Sequence, residues 1–358
     1  MTTRRRNLIA LLLLGAAAIA GGYVAGAPRP ALRAFDAVPQ GSFLVITVDL
    51  ERVRRSGVMA ELGFVGRGEL DDISRTCGFD PLDHAREAAI AVPEGGEPGD
   101  FGVAVVVDLS RAQMVTCATS VLEARGAVAS VHDEDGYVIV EDHKSGSKNA
   151  RIALKEGSPL FIGRGPWLRE MMRAFDGRGA RAATKRDGHA ALREAVGGSG
   201  AALTITAILP PELRARLRDE VDMGQKPGGP TFNAVLSVRE AAASVRAGDD
   251  AGKDALLATA VCDTPEACGA LRDFLERKRK AVAGDLGVRL IGLGAALDDM
   301  RIDAHGSAVQ IALTASAPEI ARAVRRGLGA QAPSARPSPR AGDAATPAPD
   351  EVIDGRDR

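Results

Sequence analysis

Aromatic side chains are scarce, at 3 % of the 358 residues, with one Trp and two Tyr. That argues against sugar-binding platforms and base-stacking surfaces, both of which need exposed rings. A strong net charge is missing too. With 46 Lys and Arg against 47 Asp and Glu, the formal charge is −1, so no bulk field points to nucleic acid and none is expected as a partner. No C-x-x-C pair occurs, which removes a dithiol redox motif and a zinc knuckle. No Cys follows the apolar run near the N-terminus, which excludes a lipid-anchored lipoprotein.

What the chain does have begins at Arg4, Arg5 and Arg6, a basic lead (residues 1–6) that runs into residues 7–27 without a single charge. A basic lead before an apolar segment is an export signal or a membrane anchor. About twenty apolar residues suffice to cross a hydrocarbon core of about 30 Å. Ala25-Gly26-Ala27 fits a small-x-small cleavage site, but Pro28 would then be the first mature residue, where cleavage is poor. The segment therefore reads as a transmembrane helix partnered with the lipid bilayer, N-terminus in and C-terminus out. The expected address is the bacterial inner membrane, single-pass with the C-terminal part in the periplasm. The alternative is a soluble periplasmic protein after signal cleavage.

Four cysteines, Cys77, Cys117, Cys262 and Cys268, form an even set in a chain expected outside the cytoplasm, where disulfides outnumber metal ligands. The expected bridges are Cys77–Cys117 and Cys262–Cys268, one in each half of the chain.

The chain also echoes itself. Arg86-Glu87-Ala88-Ala89 returns as Arg239-Glu240-Ala241-Ala242, and PWLREMMRAFDG after Gly165 returns as PEIARAVRRGLG after Ala317. Arg151-Ile152 and Gly157-Ser158 return as Arg301-Ile302 and Gly306-Ser307, and LVITVDL at 44–50 parallels LTITAIL at 203–209. Four anchors in one order, at spacings of 149 to 159 residues, predict a duplicated module.

Period and punctuation predict the elements. In the first copy, strands are expected at 43–49, 88–92, 103–108, 137–141, 151–155 and 160–163. Helices are expected at 50–62, from a Ser110 cap to about Arg125, and after Pro166. The second copy repeats this with strands at 203–208, 241–246 and 255–262, helices at 211–221, 265–283 and 318–328, and a hairpin around His305-Gly306-Ser307. The fold class is α+β: two tandem, similar modules, 38–177 and 200–329, each an antiparallel sheet with helices on one face, a split βαβ, ferredoxin-like elaboration. Residues 178–199 read as a linker, and 330–358 as a disordered tail of Pro, Ala, Ser and charges.

The stretch AVPQGSFLVITVDLERVRRSG, with the later FGVAVVVDL and SPLFIGRGPWLREMM, resembles a family of uncharacterised bacterial envelope proteins. That family begins each module with a Pro-initiated "LPADT…VDL"-type strand after an N-terminal membrane segment. The resemblance covers roughly 38–177 and, more faintly, 200–329. Here Gln40-Gly41-Ser42 stands where the family has acidic and Thr residues. It implies an envelope address and a strand-helix architecture, and carries no catalytic residue.

The polar constellations each have a structural explanation. His132-Asp133-Glu134-Asp135-Gly136, with Glu141-Asp142-His143 close by, offers oxygen ligands for calcium, but Lys144 stands where a twelve-residue calcium loop needs an acid. Asp135-Gly136 is equally a hairpin turn. Gly163-Arg164-Gly165 before a helix could hold an anion, yet Ala315-Ser316-Ala317, its counterpart, has lost those residues. Gly292-Leu293-Gly294 lacks a third glycine for a dinucleotide loop. Ser199 lacks nucleophile-elbow spacing, and Arg277-Lys278-Arg279-Lys280 reads as a solvated helix end. No catalytic residue, cofactor or metal ligand is assigned.

The leading functional reading is a non-catalytic, membrane-tethered envelope protein for binding, scaffolding or assembly, with an envelope protein as the candidate partner. One alternative is an exported, hydrolase-like enzyme with its site at the module interface, which requires three of His132, Asp133, His143, His189, Asp263 and His305 to converge. Another is a periplasmic binder of small molecules, which requires an apolar pocket between the modules.

Overall fold

Alternation makes the strands. Ser42–Asp49 (β1) turns Val45 into the core, and Ala85–Pro93 (β2) and Gly102–Val107 (β3) enclose Ala89, Ala91 and Ala104 completely. The computed structural model describes residues 32–55, 67–95, 100–144, 150–184, 188–224, 234–246, 253–290, 293–316 and 319. The segment 7–27, the helix expected from Pro318 and the tail 330–358 lie outside the described residues. No helix among those described is long and apolar enough to cross a membrane.

After β1 come helices Leu50–Arg55 (α1), Arg67–Cys77 (α2) and the single turn Pro81–His84 (α3). Beyond β2 and β3 lie Arg111–Ala124 (α4), then strands Ala129–Glu134 (β4), Tyr137–Asp142 (β5), Arg151–Leu154 (β6) and Leu160–Gly163 (β7). Trp167–Phe175 (α5) and His189–Ala195 (α6) precede Leu203–Ile208 (β8), Pro211–Gly224 (α7), Val238–Arg246 (β9) and Lys253–Cys262 (β10). The described chain closes with Pro265–Gly284 (α8), Leu286–Leu290 (α9), Leu293–Asp298 (α10), Arg301–His305 (β11) and Ala308–Ser316 (β12).

The architecture is α+β, built on an antiparallel sheet of twelve described strands in the order β11-β12-β10-β9-β8-β1-β2-β3-β7-β6-β5-β4. The expectation of a separate sheet for each half is corrected. β1 pairs with β8 from Leu44↔Ala207 to Val48↔Leu203, so one sheet runs through both halves. Each of these strands would otherwise be an open edge with unpaired backbone groups, and pairing removes both edges at once.

Outward from the junction, the order is β1-β2-β3-β7-β6 on one side and β8-β9-β10-β12-β11 on the other. Arg86-Glu87-Ala88-Ala89 lies in β2 and Arg239-Glu240-Ala241-Ala242 in β9, each second from the junction. Gly157-Ser158 turns β6 into β7 and Gly306-Ser307 turns β11 into β12. Among the described strands the β4–β5 hairpin belongs to the first side alone. Its turn residues Asp135 and Gly136 have φ of 54° and 83°, the left-handed pair of a tight hairpin.

Two further expectations are corrected. The strands do not form a split βαβ, because β2 pairs directly and antiparallel with β1 and leaves no place for an intervening strand. Helices also cover both faces, not one. Along β5, Tyr137 and Ile139 join a core under α5, while Val138 and Val140 join a core under α4. α5 sits close because Gly102 and Gly163 pair beneath it, and a Cβ at Gly102 would come within 2.1 Å of Met171 Sδ. Trp167 Nε1 donates to the Ala91 carbonyl at 3.1 Å and pins the same helix to β2.

The expected linker, 178–199, carries α6. Its Leu192 and the following Val196, four residues on, pack on Ala242, Ile208, Leu257 and Val261, which is why a Gly- and charge-rich stretch still ends in a helix. α6 also fastens the junction. His189, 3 % exposed, has Nε2 2.8 Å from the Ser42 carbonyl in β1 and Nδ1 2.7 Å from the Thr206 hydroxyl in β8. A carbonyl only accepts, so Nε2 carries the proton and Nδ1 accepts from Thr206. One turn on, Arg193 donates to the Thr47 hydroxyl and stacks 4.3 Å over Phe35.

Burial lowers the His189 pKa below 6.5, against the opposing pull of the Ser42 carbonyl. A depressed folded-state value means that its stabilisation is complete above the unfolded value of about 6.5 and is lost as pH falls from there through the folded value. Urea midpoints taken from pH 7.5 downwards should therefore drop below about pH 6.5, and His189→Gln should flatten that slope. An identical slope in the variant would contradict the assignment.

Candidate functional site

An apolar opening lies between α4 and the sheet. α4 starts where Ser110 breaks the chain out of β3. Gln113 N–H donates to Ser110 Oγ at 3.3 Å and Gln113 Oε1 accepts from Ser110 N–H at 3.1 Å, a reciprocal cap. From this fixed start, Met114 and Ala118 turn inward onto Val140 and Leu154. α2 is tied alongside by the Cys77–Cys117 disulfide, whose Cα atoms are 4.7 Å apart. The second bridge, Cys262–Cys268, has a Cα separation of 5.5 Å and joins the end of β10 to the first turn of α8. Both pairs are the expected ones.

Beneath α4 is a cavity of about 560 Å³, within the size range of small-molecule sites. Its floor is Val107, Ile152, Leu160 and Ile162, and its helix wall is Met114, Ala118, Val121 and Leu122. Ile73 of α2 and the Phe79 to Pro81 corner close one side. The charged residues in the lining are Arg125, exposed at the end of α4, and Asp142 at the end of β5. Ala118 is the small residue in the middle of the helix wall. In the other half, Leu271, Phe274 and Leu275 of α8 pack into the core formed with Cys262, Ile302 and Val309. The apolar pocket therefore lies within the first half, not between the halves as a small-molecule binder was expected to have it.

A second cleft of about 530 Å³ is charged, and it lies at the junction. Arg33, Arg52, Arg193, Asp49 and Glu87 line it together with Ser199. Arg52 is held by Asp49 at 2.8 Å and by the Gly200 carbonyl at 2.7 Å. Burial raises the Glu87 carboxyl, against a hydrogen bond from the Ala34 backbone and the nearby Arg33 and Arg193. Burial lowers the Arg193 guanidinium, with Glu87 opposing. At its rim Asp108 lies well placed for His84, Oδ1 to Nδ1 at 2.7 Å, and that hydrogen bond lowers its pKa.

The six residues that an enzyme site was expected to gather do not meet. None of them lines either cavity. His189 is enclosed between Ser42 and Thr206, Asp263 accepts from Arg214 at 2.7 Å, and His305 ends β11. His132 has Glu134 at 4.0 Å and Glu141 at 3.9 Å. Those acids face cations: Glu134 takes Arg151 at 3.2 Å and Arg169 at 2.9 Å. Among the described residues no group of three or more His, Cys, Asp or Glu is placed to hold a metal. At the anion candidate, a Cβ on Gly165 would lie 3.0 Å from Asp100 Oδ1, so a carboxylate already faces that turn. Arg279 bonds Glu276 and the Leu297 carbonyl while Lys278 lies over Phe274, so the basic run splits around its helix.

No protein-family model matches the chain, and no curated protein matches it. Among solved structures it is similar to TP0453. Crystal form III gives a TM-score of 0.47 at 9 % identity, covering 83 % of this chain and 99 % of that one. Crystal form I gives 0.45 at 8 % identity, covering 84 % and 99 %. Likeness at that level carries no argument about ligand or activity.

The two bridges close loops of different length, with sequence separations of 40 and 6 residues. In the chain-entropy account the longer one contributes about 3–4 kcal/mol and the shorter about 2 kcal/mol. The double variant Cys77→Ser/Cys117→Ser should therefore lose more stability in urea unfolding than Cys262→Ser/Cys268→Ser. The reverse order would show that α2 is not fixed by its bridge.

Proposed function

We propose that the chain is an exported, membrane-tethered envelope protein of non-catalytic type that binds a small apolar molecule beneath α4. The observation that carries this reading is the apolar cavity of about 560 Å³. A pocket of that size with a few charged groups at its edge is the usual form of a small-molecule site. Export is supported by the charge-free segment 7–27 behind Arg4 to Arg6, which would hold the protein in the inner membrane with the remainder in the periplasm. Four cysteines in two bridges suit that oxidising compartment. The resemblance to bacterial envelope proteins points the same way.

The two halves are, on this reading, copies of one module, 38–177 and 200–329. The support is the matching strand order outward from the junction, with the shared Arg-Glu-Ala-Ala second in each series. One copy serves as the binding module and the other as its structural partner. The bilayer, through 7–27, and an envelope protein are the proposed partners.

A second reading, an exported hydrolase-like enzyme, is favoured by the junction cleft, where Glu87 and Arg193 are both displaced from their ordinary pKa values. One experiment separates the two. The full chain is purified from membranes, extracted with organic solvent, and the extract analysed by mass spectrometry. The binding reading expects an apolar small molecule near one per chain. A chain that carries nothing, but hydrolyses esters in a manner abolished by Glu87→Gln, would replace it with the enzyme.

A further inference from the structure

We infer that the cavity beneath α4 takes one acyl chain, whose anionic head group is met by Arg125. The inference rests on the cavity being a binding site and adds the class of ligand. Its volume of about 560 Å³ sets the first limit. Water takes about 30 Å³ each in the liquid, and a methylene takes about as much, so roughly eighteen heavy atoms fit. That is one long chain, not two. The walls set the second limit. Val107, Ile152, Leu160, Ala118, Val121 and Leu122 offer no side-chain donor or acceptor, so a polar group carried inside would lose its water without replacement.

The rim sets the third. Arg125 follows the last residue of α4, is exposed, and takes part in no ion pair among the described residues. Asp142, the other charged lining residue, already accepts from the Lys144 backbone N–H at 3.2 Å. Among the described residues the rim therefore presents a guanidinium without an ion-pair partner and an engaged carboxylate. A guanidinium matches carboxylate and phosphate oxygens alike, so a fatty acid and a lysophospholipid share the chemistry required. The Arg125 guanidinium also gives an uncharged alcohol of the same chain no comparable partner.

The test is photo-crosslinking of the full chain in membrane vesicles. Three probes carry the same diazirine-bearing chain: a fatty acid, a lysophospholipid and a long-chain alcohol. Labelled peptides are mapped by mass spectrometry. The expected labels fall within 107–125 and 150–162 for the acid, the lysophospholipid or both, and the stronger of the two identifies the source. Ala118→Phe, which puts a phenyl ring into the middle of the cavity wall, should sharply reduce them. Arg125→Glu, an exposed position that leaves packing untouched, should weaken the anionic probes about tenfold, as expected for losing a charged hydrogen bond, and spare the alcohol. Competition by shorter chains should tighten about fourfold per methylene until the cavity is full.

If the alcohol labels as well as the acid and Arg125→Glu changes nothing, the anionic head group is wrong while apolar binding stands. If no probe labels these peptides, or Ala118→Phe leaves labelling intact, both the ligand class and the binding reading fall.

Discussion

Everything else in this molecule is arranged around the pairing of β1 with β8. Five register pairs, Leu44↔Ala207 to Val48↔Leu203, turn two short sheets into one. Without it each half would end in an exposed, apolar edge strand, a hazard for aggregation. The pairing is not left to backbone hydrogen bonds alone. His189 spans it from Ser42 to Thr206, and Arg193 reaches Thr47 from the same helix. α6 is thus the fastening of the junction, although it lies in a stretch whose composition suggests a linker. Its cost is a buried imidazole with a lowered pKa and a half-buried guanidinium with Glu87 near by, and both are tolerable because each has partners.

Given a shared framework, the halves differ in what their covering helices put into the sheet. α8 brings Leu271, Phe274 and Leu275 to a core closed with Ile302 and Val309. α4 brings Met114 and Ala118 to a smaller core with Val140 and Leu154, and the same helix lines the open apolar space. Apolar surface left facing an open cleft forgoes the stabilisation that burial would give it. A cavity of this size is therefore more naturally a place for something than a defect. The first half also spends more on framing that space: α2 is bridged to Cys117, which itself lines the cavity, and the Phe79 to Pro81 corner closes its side.

Local chemistry was legible in the sequence. Ser110 announced α4, Asp135-Gly136 announced a hairpin, and the alternation in 43–49 and 203–208 announced the two strands that meet at the junction. Even the bridges followed from four cysteines placed two to each half. The rest was hidden for physical reasons. α2 is not among the expected helices because RGELDDISRTC offers a single Ile and a single Leu, and the Cys77–Cys117 disulfide ties its end to α4. β4 reads as a polar cluster because His132, Asp133 and Glu134 face solvent or cations on an edge strand. Which strands of the two halves pair is a long-range choice that no local pattern encodes. A cavity is harder still, since it is the absence of atoms between residues far apart in the chain. The one trace it left was Ala118 amid the larger Met114, Val121 and Leu122.

The claim at the centre of this account is that the space beneath α4 receives a ligand. Hydrogen–deuterium exchange of the full chain in lipid nanodiscs, with and without a long-chain fatty acid, addresses it most directly, because ordering a ligand against a helix suppresses local opening. The account predicts slowed exchange confined to 107–125 and 150–163, with α8 and its strands unchanged. Equal exchange in both conditions across α4, or slowing in α8 instead, would contradict it.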